Sequence, residues 1–119
     1  MKFDWDCART VMLALEALPD TISVLRSHEV SGYDHQKTVY HMQLLIEGGL
    51  ICGQCSEGFG DELDCHATRL TWQGHQLLDS IRPQSAWNTV KSTAREKGLS
   101  LTIDVVKTLA KQVVDSMLR

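Results

Sequence analysis

A mixed α+β domain is the fold this sequence predicts, and three observations predict it. The first is the stretch from Tyr33 to Ile51, YDHQKTVYHMQLLIEGGLI, in which Val39, Met42, Leu45 and Ile46 recur at spacings of three and four, the period of one helix face. The second is the pair of glycines, Gly48 and Gly49, that stops this helix and is followed at once by Leu50 and Ile51, the start of a strand. The third is the pair of short apolar runs, Leu50 to Cys55 and Ala67 to Leu70, separated by the acidic, glycine-containing SEGFGDELDCH, which is the pattern of a hairpin. A helix that ends in two glycines and hands the chain to a two-stranded ribbon is the arrangement of a winged helix-turn-helix domain, with a small antiparallel sheet and, here, added C-terminal helices.

The elements follow in order. Asp4 to Leu18 forms the first helix: Trp5, Ala8, Met12 and Leu15 share a stripe, Val11 and Leu18 widen it, Pro19 ends it, and Asp4 and Asp6 sit where the helix dipole favours negative charge. Thr21 to Leu25 is β-branched and alternating, the pattern of a strand, and Ser31-Gly32 marks a turn. The interval between them is too short for a full helix, so the helix that normally precedes the recognition helix is expected to be abbreviated or missing. Asp34 is placed to cap the central helix. Beyond the ribbon, Thr71 caps TWQGHQLLDSIR, in which Leu77, Leu78 and Ile81 face inward and Pro83 is the stop. Ser85 is expected to cap a helix running to Lys97, with Trp87, Val90 and Ala94 inward and Gly98 closing it. Thr102 caps the last helix, where Val106, Leu109, Val113 and Met117 make a stripe opposite Lys107 and Lys111. The expected organisation is a single domain over 1–119, with a winged core over 1–82 and a helical extension over 83–119. Trp5, Trp72 and Trp87 are expected in the core.

Composition bounds the function. A chain of 119 residues with 43% apolar and 23% charged side chains is an ordinary globular composition, and its apolar runs are too short to cross a bilayer. Acids within the first six residues and the lack of an apolar h-region point to a cytoplasmic protein, in which four cysteines are expected as reduced thiols or metal ligands. Charge divides by segment: −2 over residues 1–32, −4 over 33–82 and +3 over 83–119. The segment that would read a nucleic acid is therefore acidic.

With the pattern assembled, the chain resembles, nearly end to end, the family called domain of unknown function twenty-five thirteen, small bacterial and phage proteins. The resemblance rests on MKFDWDCARTVMLALE, on GYDHQKTVYHMQLLIEGGLI, and on LTWQGHQLLDSIRPQSAWNTVK with its continuation KGLSLTIDVVKTLA. The third stretch, Leu-Thr-Trp-Gln-Gly-His followed by Leu-Asp-x-Ile-Arg and a tryptophan, is the most specific. The family implies no activity, and the cysteine cluster is no part of the likeness.

Candidate sites fall into three chemistries. For DNA, the outward face of the central helix offers His35, Gln36, Lys37, Tyr40, His41 and Gln43, only one of them a fixed cation, while Glu57, Asp61, Glu62 and Asp64 give the wing a charge that phosphates repel. Lys91, Arg95, Lys97, Lys107 and Lys111 on the last helices would have to supply the field, Lys107 and Lys111 being the candidate contacts there. For metal, Cys52-Gly53-Gln54-Cys55 has the spacing of half a zinc site and Cys65-His66 could supply the rest; strand alternation argues against it, and no metal or cofactor is expected. For catalysis there is no nucleophile motif, phosphate loop or paired-histidine helix, so a non-enzyme is expected. The expected role is DNA binding and transcriptional regulation. The alternative is a protein-protein interaction module, for example a phage or mobile-element factor, without nucleic-acid binding. A homodimer through the C-terminal helix is the expected assembly by analogy.

Overall fold

The computed structural model describes residues 1–58, 60 and 62–118. Among them are α1 (Trp5–Glu16), β1 (Leu25–Arg26), a 3-10 helix (Ser27–Glu29), α2 (His35–Glu47), β2 (Ile51–Glu57), β3 (Leu63–Leu70), α3 (Trp72–Ile81), α4 (Gln84–Glu96) and α5 (Ile103–Met117). The three strands form one antiparallel sheet in the order β1-β3-β2. The fold is α+β, as the periodicities require, and the expected element order is the observed one. Backbone contacts group the chain into two compact units, Met1–His75 and Gln76–Arg119.

In the first unit, α1 and α2 pack on each other and against one face of the sheet. Asp4 caps α1 through a bond from Asp6 N, 2.9 Å, and Asp34 caps α2 through one from Lys37 N, 2.8 Å. The predicted stripe of α1 is buried at Trp5, Ala8, Met12 and Leu15, and that of α2 at Val39, Met42 and Leu45, with Ile46 half-buried. Gly49, at φ +73°, makes the left-handed turn that releases the chain into β2. The bend falls at Gly32-Tyr33, one residue beyond the Ser31-Gly32 turn expected, and the abbreviated helix is the 3-10 segment.

Three expectations need correction. Thr21–Val24 is not strand: Asp20 Oδ1 accepts from Ile22 N, Ser23 N and Ser23 Oγ at 3.1, 2.7 and 2.7 Å, so a side chain takes amides that a ladder would need. Only Leu25 and Arg26 pair, opposite Ala67 and His66. In α4 the cap position is Pro83, which makes no side-chain bond, and Ser85 lies inside the first turn. Trp72 is 72% exposed, because it opens α3 on the side away from the buried Leu77, Leu78 and Ile81; Trp5 and Trp87 are buried as expected.

The ribbon is longer than its apolar runs suggested, because polar residues at its outer end pair as well: Gln54↔His66, Ser56↔Asp64 and Glu57↔Leu63. A register shift between Cys52 and Gly53 leaves β3 one residue longer than β2 there, so Leu70 turns inward beside Ile51 while Cys65 and Ala67 also face inward. Gly74 rests on the carbonyl oxygen of Leu50, the same oxygen that accepts from Thr71 N.

In the second unit, α4 and α5 pack together with Trp87, Val90, Ala94, Val106, Leu109 and Ala110 buried. Thr102 caps α5 through Val105 N, 3.2 Å, and Gly98 closes α4 at φ +65°. Val113 is half-buried, but Met117, at the end of the predicted stripe, is 70% exposed.

A Cβ at position 74 would lie 2.0 Å from the Leu50 carbonyl oxygen, a backbone atom that cannot swing aside. Gly74→Ala is therefore expected to destabilise the fold by about 1–3 kcal/mol, read as a lower urea midpoint of the full-length protein. An unchanged midpoint would mean that α3 does not approach Leu50.

Candidate recognition surface

Helix α2 is fixed by its buried side. Thr38 is wholly buried, its hydroxyl donating to Asp34 O at 3.0 Å. His41 is also wholly buried, which removes it from the outward face predicted for it. Its Nε2 accepts from Asp4 N at 2.7 Å and its Nδ1 faces Lys37 O at 2.7 Å. A backbone amide can only donate and a carbonyl only accept, so the ring is the neutral Nδ1–H tautomer. Phe3 stacks on it with centroids 5.1 Å apart.

The one fixed cation of α2 is already partnered. Lys37 Nζ lies 2.8 Å from Asp4 Oδ2 and over the Tyr33 ring, 5.2 Å from its centroid. The hydrogen bond from Lys37 holds the Asp4 carboxyl below its ordinary range against the opposing pull of burial, and Asp4 in turn raises Lys37. A lysine committed to a carboxylate must give it up before it neutralises a phosphate.

His35 is engaged as well. Its Nε2 is 2.9 Å from Asp64 Oδ1 and 3.0 Å from Ser27 Oγ, and that oxygen accepts from Cys65 N at 3.1 Å. Serine, histidine and aspartate thus meet, but not as a catalytic triad. Both partners address the same ring nitrogen, and the serine is 1% exposed with its oxygen occupied. Asp64, expected as a free acid of the wing, is spent on α2. Asp61 lies outside the described residues.

The structure brings His35, Gln36, Tyr40 and Gln43 to one groove of about 290 Å³, completed by Val39, Glu62 and Leu63. Gln36 is exposed and Tyr40 and Gln43 are half-buried. Lys107 and Lys111 are exposed on α5, in the second unit. By sequence the first unit holds five basic and eleven acidic side chains, net −6, and the second unit is +3. Asp4, Ser27 and the role of Asp64 escaped the sequence reading because their partners lie 33, 8 and 29 residues away along the chain.

The cysteines do not converge as a metal site. Register places Cys55 directly opposite Cys65, and the two form a disulfide rather than the reduced pair expected. Cys52 and His66 belong to the outer face of the ribbon, Cys55 and Cys65 to the inner one, so alternation separates the four proposed ligands into two pairs. Among the described residues no group of three or more His, Cys, Asp or Glu side chains is gathered to hold an ion.

Removing the lysine tests the ion pair. Because Asp4 is depressed in the folded chain, its contribution is complete above the unfolded carboxylate value and disappears as pH falls through the folded one; the raised Lys37 contributes below its unfolded value and ceases to as pH rises through the folded one. Lys37→Met should lower the melting temperature by roughly 2–4 °C at neutral pH, and the deficit should shrink as pH drops below the ordinary carboxylate range. A deficit that does not depend on pH would assign the loss to packing.

The chain is similar to an uncharacterised protein of Haemophilus influenzae (strain ATCC 51907 / DSM 11121 / KW20 / Rd), 36% identical over 118 residues and covering 99% of each chain. No solved structure matches it. Residues 2–100 of the 119 match the family described as Hypothetical protein (DUF2513), well over half of the chain, and this protein belongs to that family.

Proposed function

We propose that this protein is a winged-helix interaction module that uses the α2–ribbon surface to bind another protein rather than duplex DNA. The winged-helix reading is supported by the order α1, β1, short 3-10 helix, α2, β2, β3 and by the strand order β1-β3-β2; on this reading α2 would be the recognition helix and β2–β3 the wing. The observation that carries the choice of partner is the Asp4–Lys37 pair. With it in place, the recognition helix offers no uncommitted fixed cation, in a unit whose net charge is −6. Affinity for duplex DNA comes largely from neutralised phosphates, each contact adding about 0.9 to the slope of log K against log salt. What remains in the α2 groove is amide and phenol chemistry, Gln36, Gln43 and Tyr40, beside the apolar Val39 and Leu63, which suits a polypeptide.

DNA binding is the second reading, favoured by one observation: the second unit is +3 and presents Lys107 and Lys111 on α5. Titrating a labelled random-sequence duplex at low salt separates the two. No binding is expected on the first reading. Binding that Lys107→Glu with Lys111→Glu abolishes, and Lys37→Ala with Gln43→Ala leaves intact, selects the second. Binding lost with Lys37 and Gln43 overturns the proposal. A photo-crosslinking residue at Gln43 should likewise yield protease-sensitive adducts, and nuclease-sensitive ones would count against a protein partner.

A further inference from the structure

Of the four cysteines, two are joined, and where they sit matters more than that they are joined. Cys55 and Cys65 face each other across the β2–β3 ribbon, whose pairing continues on both sides, Gln54↔His66 and Ser56↔Asp64. The backbone therefore presents the two sulfurs to each other whether or not a bond connects them. Their access to solvent is unequal: Cys65 is 2% exposed, whereas Cys55 is half-buried. The other two cysteines are poor competitors. Cys7 is fully buried, and burial is the main cause that pushes its thiol up to about 11, while Cys52 lies on the opposite face of the ribbon.

Cys65 is also joined to the recognition surface. Its amide donates to Ser27 Oγ, that oxygen meets His35 Nε2, and the same nitrogen meets Asp64, the residue next to Cys65 in β3. His35 lines the groove with Gln36, Tyr40 and Gln43. A displacement of β3 at Cys65 therefore moves both partners of the first helical residue of α2.

We infer that Cys55 and Cys65 are a reversible oxidation site, exchanging with low-molecular-weight thiols and disulfides of the glutathione class, and that its state is transmitted to the start of α2 through Ser27, His35 and Asp64. In the oxidising direction the Cys55 thiolate attacks one sulfur of the small disulfide, forming a mixed disulfide and releasing one thiolate. Cys65, as thiolate, then attacks the Cys55 sulfur and expels the second. Two cysteine thiols and one small disulfide become one protein disulfide and two small thiols, the protons leaving on the released thiols. Reduction runs the same steps backward, with a small thiolate attacking at Cys55, the reachable sulfur. The inference holds whichever macromolecule the α2 surface binds.

The test equilibrates the full-length protein in glutathione buffers from fully reduced to fully oxidised, quenches with an alkylating agent, and weighs the intact chain. Expected is one transition in which two alkylatable cysteines appear or disappear together, with His35 and Gln36 amide resonances shifting over the same range. Cys52→Ser should leave the transition in place, and Cys55→Ser should abolish it and hold those resonances at their reduced positions. A pair that stays oxidised, or stays reduced, across the whole series overturns reversibility. A two-thiol transition that leaves the His35 resonance unmoved overturns the transmission to α2. Because wild type alone reports both, an unstable Cys55→Ser variant would not leave the question open.

Discussion

The first unit depends on a neutral imidazole. His41 is sealed from water, and both of its ring nitrogens are satisfied there by backbone groups, Nε2 accepting from the amide of Asp4 and Nδ1 donating to the carbonyl of Lys37. An unsatisfied buried polar group costs roughly 1–3 kcal/mol, so the ring fixes the lead-in to α1 on the flank of α2 with both ends of its dipole in use. Asp4 then does three things from one position: its amide meets His41, its carboxylate caps α1, and the same carboxylate takes the Lys37 ammonium. The geometry of α2 and its lack of a free cation thus have one origin.

That coupling explains why the outward side of α2 is chemically quiet although it looks versatile as a list of residues. Of the six polar side chains expected there, His41 is interior, Lys37 is paired and His35 is shared between Ser27 and Asp64. Intramolecular bonds that position a helix also use up the groups it could offer a ligand. The amides and the phenol are left, and they discriminate shape and hydrogen-bond pattern more than charge.

Much of the fold was legible, because the signals for it are local. The stripes of α1 and α2, the Asp34 and Thr102 caps and the Gly49 and Gly98 stops all act within a few residues, which is the range over which sequence periodicity and capping chemistry operate. The misses share a different cause. At Thr21–Val24, β-branched propensity lost to a single carboxylate, Asp20, that binds its own neighbours. At Trp72, size suggested burial, whereas the direction of the first turn of α3 decided it. The surface was legible as residue types and illegible as chemistry, since Asp4–Lys37 and Asp64–His35 each join distant parts of the chain and leave no periodic trace. The cysteine pair was visible only as spacing; register made it a bond.

The shift at Cys52/Gly53 divides the ribbon into two stretches with independent phase. Below it, Ile51 and Leu70 belong to the hydrophobic interior; above it, Cys55 and Cys65 keep their own alternation out to the tip. A length change of two residues in the distal stretch would preserve inside and outside without reaching the root, where Leu50 carries Gly74 and Thr71. The reach of the hairpin is therefore set independently of its anchorage, so the outer stretch can be lengthened or shortened without disturbing the packing at its base.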